Sequence, residues 1–390
     1  MKHIGCSLLA LWLLFSAAVP AVRAGEPEEK AFCLMEASTG TVLDARNEHE
    51  PLPPASVTKI MTLLLIMEAV DSGRIGLDDP VTASETAAAK GGSQIYLKAG
   101  ETLSVREMVK SIAVASANDC ACAMAELLAG TEAAFTEQMN EKAAALGMAD
   151  THFVNCTGLD DSPEAEAHRT SAYDLALMSR ALLTEHPDIR DFTTIWMDSV
   201  RGGAFGLTNT NKLVRFYPGC TGLKTGFTAA AGYCLSASAE HDGMTLIAVV
   251  LGGKTSGGRF SRCRELLDAG FAQWTLYTPT LPQCRIPVRM GVQTEVQAVP
   301  NAPVRLLVEK ARLSALSAEA LPVPLLRAPV AQGAPAGTLH IRENGRVLAS
   351  FPLTAASAVG RLHFGALFSS LFSRVAMAGE VFANSQSLKH

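Results

Sequence analysis

Residues 231–253 read AGYCLSASAEHDGMTLIAVVLGG. Two runs with strand character, 231–240 and 244–253, flank His241-Asp242-Gly243. Asp-Gly supplies the positive φ angles that a tight hairpin turn needs, so the stretch predicts two antiparallel neighbours. Far upstream, residues 31–47, AFCLMEASTGTVLDARN, repeat the pattern around Ser38-Thr39-Gly40. Between the two hairpins lie helical segments at 104–116, 119–130, 132–147 and 171–186, and another follows at 262–274. A helix near residue 56 carries Ile60, Met61, Leu63, Leu64 and Met67 around most of its circumference, which predicts a central, buried position. Strands at both ends of a helical stretch predict an α/β domain: one antiparallel sheet with a helical cluster beside it.

Composition shifts at 277–288, YTPTLPQCRIPV. From there to Thr354 prolines are frequent and alternating runs (VRLLVEK, TLHIREN, RVLASF) are separated by turn signals, among them Asn344-Gly345. A small all-β sandwich is expected over 278–354. Beyond it Phe364, Leu367, Phe368, Leu371, Phe372 and Val375 fall on one helical stripe, with Arg361, Ser369, Ser370, Ser373 and Arg374 opposite. The segment 359–378 is short for a membrane span, and its expected form is an amphipathic helix in a membrane interface. A helix docked on the core or on a partner is the alternative. At the other end, 1–24 reads as a secretory signal: Lys2, an apolar stretch from Leu8 to Val19, and VRA ending at Ala24. The expected location is therefore the extracytoplasmic face of the cell membrane, peripherally bound.

The chain has 390 residues, 18% charged and 48% hydrophobic, with a net charge of −5. These values fit a folded chain long enough for two domains, and no basic block suggests a nucleic-acid partner. Eight cysteines follow Ala24 (Cys33, Cys120, Cys122, Cys156, Cys220, Cys234, Cys263 and Cys284). Disulfides are possible in an exported protein, but the spacings favour buried small hydrophobes. With no CxxC and no HExxH, neither a zinc centre nor another cofactor is expected.

Three short patterns bear on chemistry. Ser56 and Lys59 lie one turn apart, so the amine reaches the hydroxyl; a buried lysine, or one beside a second cation, becomes a neutral base. The plain alternative is a helix cap and a solvated lysine. Ser116 and Asn118 bracket Ala117 before a helical run, and can aim a hydroxyl and an amide into one cleft or merely cap the helix. Lys224-Thr225-Gly226 leads into a strand, and suits a terminal carboxylate on a peptide laid beside it, or a solvated loop.

Taken in order, S-x-x-K, S-x-N and K-T-G resemble the penicillin-recognising serine acyltransferases. Longer stretches, including ASVTKIMT, GGSQIYLKAGE, SANDCACAMAE and NTNKLVRFYPGCTGLKTGFT, resemble the D-alanyl-D-alanine carboxypeptidases, the low-molecular-mass penicillin-binding proteins. The likeness covers residues 31–274 well and continues more loosely to the tail. It implies a β-lactamase/transpeptidase-like fold over 25–276, and a substrate that is a peptidoglycan stem peptide ending in D-Ala-D-Ala. It also implies β-lactams as covalent inhibitors. Ser56 would be the nucleophile, Lys59 its proton acceptor and Ser116 the relay. Asn118 would hold the peptide amide, Lys224 and Thr225 the carboxylate, with Gly226 beside the peptide and Arg259 assisting. The backbone N–H groups of Ser56 and Phe227 would form the oxyanion hole. Alanine stands where glycine is common in the middle motif, and Phe227 where histidine or serine is common, which bears on substrate preference. Two other readings share the motifs. A class A β-lactamase needs a deacylating glutamate, for which Glu164 and Glu166 are candidates outside the usual E-x-x-L-N setting. A non-catalytic sensor of wall peptides or β-lactams needs no relay.

Overall fold

The computed structural model describes residues 28–281, 283–363, 365 and 368. The signal segment 1–24 lies outside the described residues, as does most of the 359–378 tail.

Five strands make the central sheet: β1 (Ala31–Glu36), β2 (Val42–Arg46), β3 (Cys220–Thr228), β4 (Gly232–His241) and β5 (Met244–Gly253). They run in the order β2-β1-β5-β4-β3, all antiparallel. Asp242 and Gly243 close the β4–β5 hairpin with φ of 51° and 74°, the double positive that twist-matched two-residue turns require. In the first hairpin the Glu36 carboxylate accepts from the backbone N–H groups of Ser38 and Thr39, and Gly40 turns the chain at φ 71°. Pairing of residues 31–36 with 246–251 stitches the two distant hairpins together.

Strand β5 explains its own composition, because both faces are covered. Ile247, Val249 and Leu251 join Cys33 and Met35 in the core shared with the helical cluster. Leu246, Ala248 and Val250 join Phe32 and Leu34 on the other face, under the helix Ser256–Gln273. Period-two alternation sends neighbours to opposite sides, so a strand sandwiched this way is apolar throughout. The helix Lys59–Asp71, α1, is buried on nearly all sides, in keeping with its apolar circumference.

The β domain departs from its expected limits at both ends. Trp274–Tyr277 pairs antiparallel with Leu306–Glu309, and Lys310 Nζ donates to Phe271 O at 2.7 Å, so a strand of the second unit returns to the first. Six further strands run Leu316–Pro322, Pro335–Glu343, Arg346–Ala355, Glu295–Pro300, Arg285–Arg289, Leu326–Arg327 in hydrogen-bonding order. They bury a separate core that includes Ile286, Val288, Leu339, Ile341 and Leu353. Asn344-Gly345 closes the long hairpin with two positive φ angles. At the far end, Val359 bridges Val330 and Arg361 bridges Gly291. These first residues of the expected tail helix are therefore extended, because Val359 is buried in the β-domain core. All eight described cysteines are free thiols, and only Cys220 is not fully buried. No helix among the described residues is long and apolar enough to cross a membrane.

Leu246 is fully buried between β5 and the helix behind it. Leu246→Ala is expected to cost about 2–5 kcal/mol, measured by urea unfolding; a loss below 1 kcal/mol would show that this face is loosely packed.

Candidate active site

Ser56 does not cap the helix. It lies in a single 3₁₀ turn, Ala55–Thr58, and Lys59 is the first residue of α1. Ala55, just before it, holds a positive φ of 51°, which a non-glycine residue adopts only when its surroundings insist. Here they do. Thr58 Oγ1 donates to Ala55 O at 2.8 Å and lies 2.8 Å from His168 Nε2. His168 Nδ1 accepts from Val154 N at 3.2 Å, so Nε2 carries the proton and donates to the threonine. Burial, then the neighbouring His152, Arg169 and Lys59, push the imidazole down to about 4. Gly158 packs so tightly on Ala55 that a Cβ there would lie 1.9 Å from the Ala55 carbonyl oxygen.

Lys59 has no exposed surface. Its Nζ lies 3.0 Å from Ser56 Oγ and donates to Thr157 O at 2.8 Å. Asn155 Oδ1 sets that carbonyl by accepting from Thr157 N and Gly158 N, while Thr62 Oγ1 donates to Cys156 O. Burial pushes the lysine down to about 7, against the weaker upward pull of Cys156 and Asp119.

Ser116 ends the helix Val105–Ala115 in the left-handed conformation, φ 63°. The next helix, Asn118–Ala129, has Ala117 at its N-cap with no side-chain bond, so neither polar residue serves as the cap. Ser116 Oγ and Asn118 Oδ1 are buried without a hydrogen-bond partner among the described residues. Asn118 Nδ2 donates to Gly91 O at 2.7 Å, and Asp119 accepts from the N–H groups of Ile95 and Leu97. The loop 91–97 is thereby fastened to the middle motif.

Strand β3 completes the cleft. A Cβ on Gly226 would lie 2.8 Å from Pro54 O and 3.0 Å from Ser56 N; glycine lets the strand run directly along the serine's turn. Lys224 is 1% exposed. Burial lowers its amine far below the ordinary lysine range, and Lys59 and Arg259 lower it further. Thr225 Oγ1 donates to Thr210 Oγ1 at 2.7 Å, and Thr210 N bonds Val114 O at 3.1 Å, which joins β3 to the helix that ends at Ser116. Arg259 is buried, donating from Nη1 to the carbonyls of Gly226 (2.7 Å) and Cys234 (3.0 Å). It braces the strand from behind. Phe227 is 53% exposed and stacked on Tyr233 at 4.4 Å. Glu164 and Glu166 are exposed on the turn Pro163–Ala167. Among the described residues no cluster of histidine, cysteine or carboxylate side chains could hold a metal.

Sequence reasoning missed His168, Asn155 and Thr210. His168 meets Thr58 across 110 positions and Thr210 meets Thr225 across 15. Asn155 acts through the turn beside it, and no local pattern marks any of the three.

The family model for D-alanyl-D-alanine carboxypeptidase matches residues 17–255, and that for the C-terminal domain of penicillin-binding protein 5 matches 284–361. The chain belongs to the D-alanyl-D-alanine carboxypeptidase family. As such it is a serine peptidase with a transpeptidase-like α/β domain and a C-terminal β domain. It is 42% identical to D-alanyl-D-alanine carboxypeptidase DacF of Bacillus subtilis over 84% of this chain and 85% of that one. Penicillin-binding protein 5 of Haemophilus influenzae superposes with a TM-score of 0.70 at 28% identity, covering 86% of this chain and 98% of the other. Ampicillin-bound penicillin-binding protein D2 of Listeria monocytogenes covers 63% of this chain and 98% of its own, at 32% identity and a TM-score of 0.57.

With its folded pKa depressed from 6.5 to about 4, His168 stabilises the fold fully above 6.5 and progressively less as pH falls, since the unfolded chain takes up a proton that the buried ring refuses. Acidification across that window is expected to cost the natural protein roughly 3 kcal/mol more than His168→Gln. Equal pH slopes in urea titrations would contradict the buried neutral ring.

Proposed function

We propose that Ser56 attacks the carbonyl between the two terminal D-alanines of a stem peptide, and that neutral Lys59 takes its proton. One observation carries this reading: a wholly buried amine 3.0 Å from a hydroxyl, where burial favours the neutral, proton-accepting form. The N–H groups of Ser56 and Phe227, on the adjoining turn and strand, face the developing oxyanion. Lys224 and Thr225 bind the terminal carboxylate, with Arg259 assisting by fixing Gly226 and adding its charge behind the strand. Asn118 holds the peptide amide. Collapse of the tetrahedral intermediate needs a proton on the departing amine, and Ser116 relays it from Lys59. Water then cleaves the Ser56 ester by the same path in reverse, leaving a peptide shortened by one D-alanine. A β-lactam acylates the same serine.

The exposure of Glu164 and Glu166 gives no support to a β-lactamase, since a deacylating carboxylate must hold water at the ester. In this reading the enzyme is exported and held peripherally at the extracytoplasmic face of the cell membrane by its tail, where such a substrate lies.

Release of D-alanine from diacetyl-Lys-D-Ala-D-Ala tests the assignment. Ser56→Ala is expected to abolish both release and penicillin labelling, and Lys59→Met to lower kcat/KM about a hundredfold to ten-thousandfold. Activity retained in Ser56→Ala would refute the nucleophile.

A further inference from the structure

The chemistry leaves one surface of the β domain unused: the end from which residues 364–390 depart. Three backbone segments meet there. Val288 and Arg289 pair in parallel with Leu326 and Arg327. Gly291 bridges Arg361 and Val330 bridges Val359, while Leu362 N donates to Met290 O at 2.8 Å. The turn they support presents apolar side chains outward. Met290 sits at a left-handed φ of 62°, unfavourable for a long side chain, and is 43% exposed. Val292 is 53% exposed.

The charge at this end is one-sided. Arg289, Arg327 and Arg361 are all exposed. Segments 286–294, 323–332 and 356–363 contain these three arginines and His363, but no aspartate or glutamate, in a chain whose net charge is −5. An apolar tip ringed by guanidinium groups matches a bilayer whose headgroups are anionic: the apolar side chains enter the interface and the cations meet phosphates. Geometry adds a reason. If the stripe that begins at Phe364 lies in a membrane interface, the bond from Leu362 to Met290 holds this tip at the same surface.

We propose that this end of the β domain is itself a lipid-facing surface, with Met290 and Val292 entering the headgroup layer of an anionic membrane and Arg289, Arg327 and Arg361 contacting lipid phosphates. The proposal rests on the reading of the tail as a membrane anchor. It adds a second contact, which fixes the tilt of the protein as well as its attachment.

Sedimentation of the full chain with vesicles of phosphatidylglycerol and phosphatidylethanolamine, or of phosphatidylcholine alone, tests it. Arg289→Ser with Arg327→Ser is expected to weaken partitioning onto the anionic vesicles roughly 30-fold and to leave phosphatidylcholine binding unchanged. Met290→Ser with Val292→Ser is expected to weaken it roughly tenfold. D-alanine release should be unaffected in both. Variants that bind anionic vesicles as tightly as the natural chain overturn the proposal and leave the anchor standing. A natural chain that binds neither vesicle removes the anchor reading and this inference together. Equal loss on both lipids overturns the electrostatic contact, as does arginine-dependent self-association without vesicles.

Discussion

The Lys59 ammonium is withheld from water, and the rest of the site answers to that fact. An ion of this size taken into a protein interior costs several kcal/mol even after relaxation. The cheaper state is the neutral amine. Lys224, equally buried, raises the cost of keeping either group charged. Two lysines that would be charged on a surface are both driven toward the neutral amine by a dry interior.

The fold supplies that cleft from elements whose composition follows from their positions. Helix α1 is apolar nearly all round because it runs through the core shared by the sheet and the helical cluster. Strand β3 can lie against the serine's turn only because Gly226 has no side chain. The turn itself is held through Thr58, His168 and Gly158. Among the described residues, none of this cleft comes from the β domain, and the proposed lipid contact rests on that domain's cationic, apolar tip.

Much of this was legible in the chain. The Asp-Gly hairpin, the upstream hairpin and the all-round apolar helix are local patterns, and local physics sets them. The three motifs were weak singly and decisive in order. What stayed hidden depends on contacts between distant residues. Thr58 and His168 are 110 positions apart, and nothing near either announces the other. The left-handed Ala55 is invisible because alanine has no preference for that conformation. The return of Leu306–Glu309 to pair with Trp274–Tyr277 blurred a boundary that composition drew sharply. Val359 opens the segment 359–378 read as the tail helix, whereas a β core claims it.

The most direct measurement of the central claim is the pH dependence of the second-order rate of benzylpenicillin acylation. A buried, neutral Lys59 predicts that the rate rises with pH through an inflection near 7, because burial disfavours the ammonium form. A single inflection in the ordinary lysine range near 10 would contradict it.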